Sequence, residues 1–213
     1  LSLALIVVLA LAYVYRQRVP LAQLGTATRV TKNSLAPLAS NLASKLLSFG
    51  FSLFYFRVLG PSQVGKYVVA VTVWLFMDTV IGFGLGQLLP RDVARDKAQT
   101  NRYVSNALAI RLAMSVLVGL PVVLAVFGLQ RLGRIDADLA LTIGLLTAAF
   151  LPSAVSNIFS SAFSGHELME FRAFTEVLTA IVTVALGVAF ILAGWDIVGL
   201  ATASLLTNFF TAG

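Results

Sequence analysis

The chain has 213 residues, of which 59% are hydrophobic and only 11% are charged. Soluble domains carry about 25% charged residues, so this composition excludes a water-soluble body. The net charge of +6 comes from 15 Lys and Arg against 9 Asp and Glu. The basic residues lie mainly in short loops between apolar runs, which indicates membrane topology and anionic headgroups rather than nucleic-acid binding.

Seven apolar segments follow one another along the chain, and they do not alternate with the period of two that a barrel strand requires. Most of them are long enough for a helical crossing of about 20 residues. We therefore predict an all-α, polytopic transmembrane helix bundle. The segments are 1–15, 35–58, 67–89, 103–128, 139–163, 171–194 and 197–211.

The same pattern predicts three parts of the chain. Residues 1–15 are interpreted as a truncated or extra transmembrane helix, and residues 16–34 as a cytoplasmic linker, either an interfacial helix or a plain connector. Residues 35–213 would form a six-helix unit whose last helix is cut.

Proline and glycine mark the expected ends and kinks of these helices. Pro61, Pro90 and Gly165 are predicted to lie in connections. Pro121 and Pro152 lie inside apolar segments and should kink them, because proline cannot donate its backbone hydrogen bond.

The distribution of basic residues predicts the orientation. With the linker 16–34 in the cytoplasm, nine Lys and Arg fall on that side of the bundle and four on the other. This bias agrees with the positive-inside rule.

Four ionisable residues lie within the predicted spans: Lys45, Asp78, Arg111 and Glu176. Because a charge at the bilayer centre costs a few kcal/mol even on lenient scales, they should face the bundle interior or water. Their depths in the membrane, estimated from the start of each segment, place Lys45 and Asp78 near the middle and Arg111 and Glu176 in the cytoplasmic half. A Lys45–Asp78 pair and an Arg111–Glu176 pair are therefore plausible. Two structural ion pairs, or a hydrated cleft with basic groups for an anionic substrate, both remain open. Glu176 is the residue whose depth is most easily misjudged.

Polar residues at helical spacing support the cleft. Two faces follow the pattern i, i+4, i+7, i+11, while small residues spaced by four permit close helix approach. Polar helix–helix contacts without a cavity would give the same pattern. The sets are Asn41, Lys45, Ser48 and Ser52; Ser153, Asn157, Ser160 and Ser164; and Asp78, Gly82 and Gly86.

Catalytic and metal signatures are missing from the sequence. There is no cysteine, no Ser/His/Asp set and no metal-ligand cluster. The glycines at 82–86 do not have the spacing or the preceding strand of a nucleotide loop. We predict no cofactor, no metal and no enzymatic activity.

Three stretches make the chain similar to a known family: RVTKNSLAP at 29–37, RVLGPSQVGKY at 57–67 and GFGLGQLLPRDVAR at 82–95. From about Arg29 to its end, the chain resembles the polysaccharide (O-antigen type) flippases of the multidrug/oligosaccharidyl-lipid/polysaccharide exporter superfamily. The resemblance implies two helical lobes that work by alternating access, of which this chain would be the N-terminal six-helix lobe of a MATE-like fold plus one extra N-terminal helix.

The resemblance also implies a substrate and a location. Such proteins move undecaprenyl-pyrophosphate-linked oligosaccharides across the plasma (inner) membrane of a bacterium or archaeon, for cell-surface polysaccharide biosynthesis. The partners would be the lipid-linked oligosaccharide, the bilayer and a coupling H⁺ or Na⁺. Lys45, Arg111, Asn41 and Asn157 would bind the substrate, whereas Asp78 and Glu176 would form charge pairs or bind the coupling ion.

Three other functions are weighed against this one. A multidrug or cation exporter of the same superfamily would favour acidic cavity residues. A membrane-embedded lipid-sugar enzyme would need a cluster of acidic or His residues at a membrane face, and a structural subunit would not need four buried charges.

Overall fold

The computed structural model describes the backbone of residues 26–96, 99–165 and 169–212, and the side chains of 40–96, 99–162 and 174–211. These residues form helices and no strand, which confirms the predicted all-α bundle. The predicted helix 1–15 and most of the linker lie outside the described residues, but residues 26–34 are helical. The helices are α1 (Thr26–Gly82), α2 (Leu85–Arg95), α3 (Thr100–Arg131), α4 (Ala137–Ala148), α5 (Phe150–Gly165), α6 (Met169–Leu192) and α7 (Asp196–Ala212).

Helix α1 is two crossings joined at a sharp reversal. Gly60 has φ 74° and ψ 170°, a region open essentially to glycine alone. The rings of Tyr55 and Tyr67 lie 5.7 Å apart, whereas twelve residues of straight helix would separate them by about 18 Å. The chain therefore doubles back at Gly60. Pro61 follows as the first residue of the returning helix, where its missing N–H costs nothing.

Helix α2 corrects the predicted third segment, which was expected to run to Leu89. The segment stops at Gly82, because Phe83 (φ 38°) and Gly84 (φ 76°) are left-handed. Pro90 then lies inside α2 rather than in a connection. The helix is amphipathic: Leu89 and Val93 pack with Ala107 and Ile158 in one buried cluster, while Arg91 and Arg95 are exposed.

Prolines inside the apolar segments have different effects. Helix α3 continues through Pro121. The segment 139–163 is interrupted at Ala149, three residues before Pro152, so that it becomes α4 and α5. Pro152 has no N–H to donate to the carbonyl one turn earlier, which explains the break. Helix α5 is described as far as Gly165.

Four of the described helical stretches are long and apolar enough to cross a membrane: Ser40–Arg95, Thr100–Arg131, Ala137–Ala162 and Phe174–Leu192. The first has 56 residues and includes the reversal at Gly60, so it suffices for two crossings of about 20 residues. Large apolar side chains such as Phe76, Leu117 and Leu124 are exposed on the outside, as a surface in contact with lipid requires. The chain is a multi-pass membrane protein.

Close packing joins α1 to α6. Gly187 of α6 is buried against Phe51, and a Cβ at Gly187 would lie 2.4 Å from the Cζ atom of that ring. The absence of a side chain at Gly187 thus lets the two helices approach closely.

An ion pair ties two connections together at one end of the bundle. Lys66 Nζ lies 2.5 Å from Asp136 Oδ2. Lys66 follows the reversal in α1, and Asp136 precedes α4. The two connections therefore share one end, as the predicted alternation of loops requires; which side of the membrane this is stays a prediction.

Candidate functional site: a polar cavity in the helix bundle

Five helices line a cavity of about 400 Å³. This volume lies in the range of about 300–1,000 Å³ that is typical of small-molecule sites. Its walls come from α1, α4, α5, α6 and α7. The lining residues are Tyr67, Val71, Trp74, Asp78, Leu146, Ala149, Ser153, Asn157, Thr179, Thr183, Ser204, Thr207 and Asn208.

The lining follows from helical periodicity. Tyr67, Val71, Trp74 and Asp78 are spaced i, i+4, i+7 and i+11, which is one face of the returning half of α1. This face carries the aromatic side chains and the carboxylate of the cavity. The polar side chains of α5, α6 and α7 complete the lining.

Asp78 is the charged residue of the lining, and Arg111 holds it from behind. Arg111 Nη2 of α3 donates to Asp78 Oδ1 at 3.2 Å. The Arg111 side chain is only 8% exposed, whereas that of Asp78 is 42% exposed. The carboxylate is thus the accessible member of the pair, and the guanidinium neutralises it from within the protein. Among the buried polar atoms of the described part, Arg111 Nε has no hydrogen-bond partner.

The hydroxyl and amide groups of the lining are anchored to their own helices. Thr179, Thr183 and Thr207 each donate to the carbonyl four residues earlier. Asn157 and Asn208 do the same through Nδ2, at 2.9 and 2.8 Å. These bonds fix the side chains, and a hydroxyl oxygen or an amide group retains further lone pairs or an N–H for a ligand.

The aromatic wall is also held in place. The indole of Trp74 stacks on Phe150, with ring centroids 5.5 Å apart and planes tilted by 15°. Phe150 is only 1% exposed, so its ring is held in the core and gives the indole a fixed surface to stack on. Tyr67 packs edge-on against Tyr55.

The predicted site residues are divided by this geometry. Asp78 and Asn157 line the cavity, and Arg111 reaches it through Asp78. Asn41 and Lys45 lie on the first half of α1, exposed and outside the lining. Glu176 is half-buried on α6, three residues before Thr179, and also lies outside the lining.

The expected pairing of charges was wrong. Asp78 pairs with Arg111 and not with Lys45. The prediction counted depth from residue 67, but the returning helix starts directly after Gly60. Asp78 is therefore about 9 Å further along its helix than expected, at 1.5 Å per residue, which brings it level with Arg111.

Most of the polar lining on α6 and α7 was not predicted from the sequence. Thr179 and Thr183 are spaced by four residues on α6, and on α7 Thr207 and Asn208 follow Ser204 by three and four residues. This spacing could have identified both faces. Threonine and serine are common in membrane helices, however, and their bonds to the preceding turn look the same on any face.

The chemistry available in the cavity is hydrogen bonding around one carboxylate. Among the described residues, no group of three or more His, Asp or Glu side chains could hold a metal ion. The lining presents hydroxyls, amides, aromatic rings and Asp78, which suits recognition of a polar molecule.

A family model described as "Polysaccharide biosynthesis protein" matches residues 30–212 of the chain. No curated protein matches, and no solved structure matches.

Proposed function

The chain belongs to the polysaccharide biosynthesis protein family, which comprises polysaccharide flippases of the multidrug/oligosaccharidyl-lipid/polysaccharide exporter superfamily, and we propose that it flips an undecaprenyl-pyrophosphate-linked oligosaccharide. Membership and the membrane helices give it a transport role in polysaccharide synthesis, with a polysaccharide-type substrate and the lipid bilayer as partners. The lipid carrier, the alternating-access mechanism and the plasma (inner) membrane are parts of the proposal.

One observation carries the proposal: a polar cavity inside a bundle whose outside is apolar. A glycan cannot cross about 30 Å of hydrocarbon without losing its hydrogen bonds to water. Hydroxyl, amide and carboxylate groups inside the bundle replace those bonds while the lipid chain stays in the bilayer. Transport rather than catalysis fits this arrangement.

The basic residues take different parts in this proposal. Lys45 is exposed on α1 and is our first candidate for binding the pyrophosphate, with Asn41 one turn earlier on the same face. Arg111 is the second candidate, but its charge is already matched by Asp78. We assign Arg111 chiefly to holding Asp78. Asp78 and Glu176 remain the candidates for binding a coupling H⁺ or Na⁺.

Deletion and complementation test the proposal. Deleting the gene in the organism that encodes the chain should cause lipid-linked oligosaccharide to accumulate on the cytoplasmic leaflet, and the intact gene should reverse this. Lys45→Gln should fail to complement, whereas Lys45→Arg should complement, because it keeps the charge. An unchanged distribution of the lipid-linked oligosaccharide in the deletion strain would refute the flippase function. Full complementation by Lys45→Gln would refute the role of Lys45.

A second candidate is a cation exporter of the same superfamily. The observation in its favour is that Asp78 is the charged residue of the lining. Vesicles with the purified protein should then take up a cationic dye under an ion gradient, and Asp78→Asn should abolish the uptake. Uptake of the dye without any movement of lipid-linked oligosaccharide would favour this alternative.

A further inference from the structure

We infer that the cavity is a carbohydrate subsite, which binds the sugar part of the substrate and not its pyrophosphate. This inference rests on the proposed function, since it assigns one part of the proposed substrate to the cavity. It divides the substrate between two places: the glycan in the cavity and the anionic linkage outside it.

The aromatic wall suits a sugar ring. A pyranose has a face of C–H groups that is apolar and slightly positive, and aromatic rings have a negative face. Phe150 stacks on Trp74 and holds the indole in place, and Trp74 is part of the cavity lining. Tyr67 lines the same wall about two helical turns earlier on the same face of α1. Two rigid rings in a polar cavity bind sugars with little loss of side-chain freedom.

The polar lining suits sugar hydroxyls, which both donate and accept hydrogen bonds. Asp78 accepts, while Asn157 and Asn208 on facing helices can do both. Arg111 fixes Asp78 through Oδ1, and the carboxylate, whose side chain is 42% exposed, has further lone pairs that can accept from a hydroxyl. In this arrangement Arg111 is a positioning residue, because it acts on the ligand through Asp78.

The charge of the cavity argues against pyrophosphate. Its lining holds one carboxylate and no Lys or Arg. Arg111 is 8% exposed behind Asp78, so the nearest guanidinium brings the pair to neutrality without presenting an excess positive charge. A group carrying two or more negative charges gains nothing in such a site, whereas a neutral glycan does.

The two tryptophans of the chain make a direct test possible. Trp74 lines the cavity, whereas Trp195 is 51% exposed next to Phe190. Trp195→Phe leaves Trp74 as the single indole of the 213-residue chain. The protein is reconstituted in lipid nanodiscs and titrated with oligosaccharide that mild acid has released from the lipid fraction of the organism. The control titrants are sorbitol, which lacks a ring face, and inorganic pyrophosphate.

Matched variants locate the binding. Thr183 and Thr72 make the same bond to the carbonyl four residues earlier, at 2.8 Å each, but only Thr183 lines the cavity. We expect the released oligosaccharide to change Trp74 fluorescence saturably, with Thr183→Val weakening binding roughly fivefold and Thr72→Val leaving it unchanged. Asp78→Asn should weaken it further, and unfolding curves check that each variant is folded.

The outcomes separate this inference from the proposed function. Saturable binding of pyrophosphate at Trp74, no binding of the oligosaccharide, or equal effects of Thr183→Val and Thr72→Val would each overturn the carbohydrate subsite. If the oligosaccharide does not bind but the deletion strain accumulates its lipid-linked form, the flippase function stands and the subsite is wrong. If it binds but no accumulation occurs, the subsite stands and the flippase function is wrong.

Discussion

Replacing Asp78 by Leu should destabilise the protein much more than replacing its partner Arg111 by Met. Removing Asp78 leaves a guanidinium that is only 8% exposed without its counter-charge. Breaking a buried pair in this way costs about 3–5 kcal/mol. Because the Asp78 side chain is 42% exposed, the pair is partly hydrated, and we expect a loss near the lower end, about 3 kcal/mol.

Replacing the other member of the pair, Arg111, has a smaller effect. Arg111→Met removes the buried charge and leaves Asp78 in a polar cavity that can hydrate it, so we expect a loss of about 1 kcal/mol. The double variant should cost less than the sum of the two, with a coupling of about 2 kcal/mol.

The assay is the free energy of unfolding in mixed micelles, measured by titration with a denaturing detergent and followed by far-UV circular dichroism. Lys66→Met, which breaks the partly exposed pair with Asp136, is the control and should change stability less than Asp78→Leu. Equal losses for Asp78→Leu and Arg111→Met, or additive effects in the double variant, would refute the asymmetry.

Three further predictions concern the backbone and topology. Gly60→Ala should lower the free energy of unfolding by about 1–3 kcal/mol because Gly60 has a positive φ. Its control is Gly65→Ala in the returning half of α1, where a Cβ meets no other atom; this variant should be neutral or stabilising. Gly187→Ala should lower the free energy of unfolding by about 1–3 kcal/mol through overpacking against α1. In a chain without cysteine, Arg134→Cys should react with an impermeant maleimide in intact cells and Arg95→Cys only after permeabilisation.

Each of these has a contrary result. Equal stability of the two glycine variants near the reversal would mean that the chain does not need its left-handed turn there. An unchanged unfolding curve for Gly187→Ala would show that the aromatic ring of α1 moves aside freely. Labelling of Arg95→Cys but not Arg134→Cys in intact cells would show that the predicted orientation is inverted.

The membrane-spanning segments could be predicted because apolar runs, and the Gly and Pro residues that interrupt them, can be seen in the local sequence. The connection at Pro61, where the chain reverses, follows from them. The end at Gly82 could not be foreseen, since the apolar run continues through Phe83 to Leu89 and only the backbone conformation interrupts it. Pro90, which looked like a terminator, is tolerated inside the amphipathic helix that follows.

The candidate site was predictable in kind but not in membership. A charge within a span has to find a partner or water; Asp78 and Arg111 pair with each other, whereas Lys45 is exposed on α1. Their pairing depended on depth, which shifts by about 1.5 Å for each residue of error in a helix start. The polar faces of α6 and α7 carry no charge, so nothing in the sequence distinguished them from other threonine-rich helix surfaces.

The tie between Lys66 and Asp136 has a consequence for how the protein is made. The two residues are separated by the whole of α3 in the chain, so the lysine beside the hairpin tip reaches the far end of the bundle before its partner has been synthesised. The pair can form only after the returning half of α1 and helix α3 have both crossed the membrane. The contact is therefore available to chains in which α3 has crossed and is absent from those in which it has failed to cross.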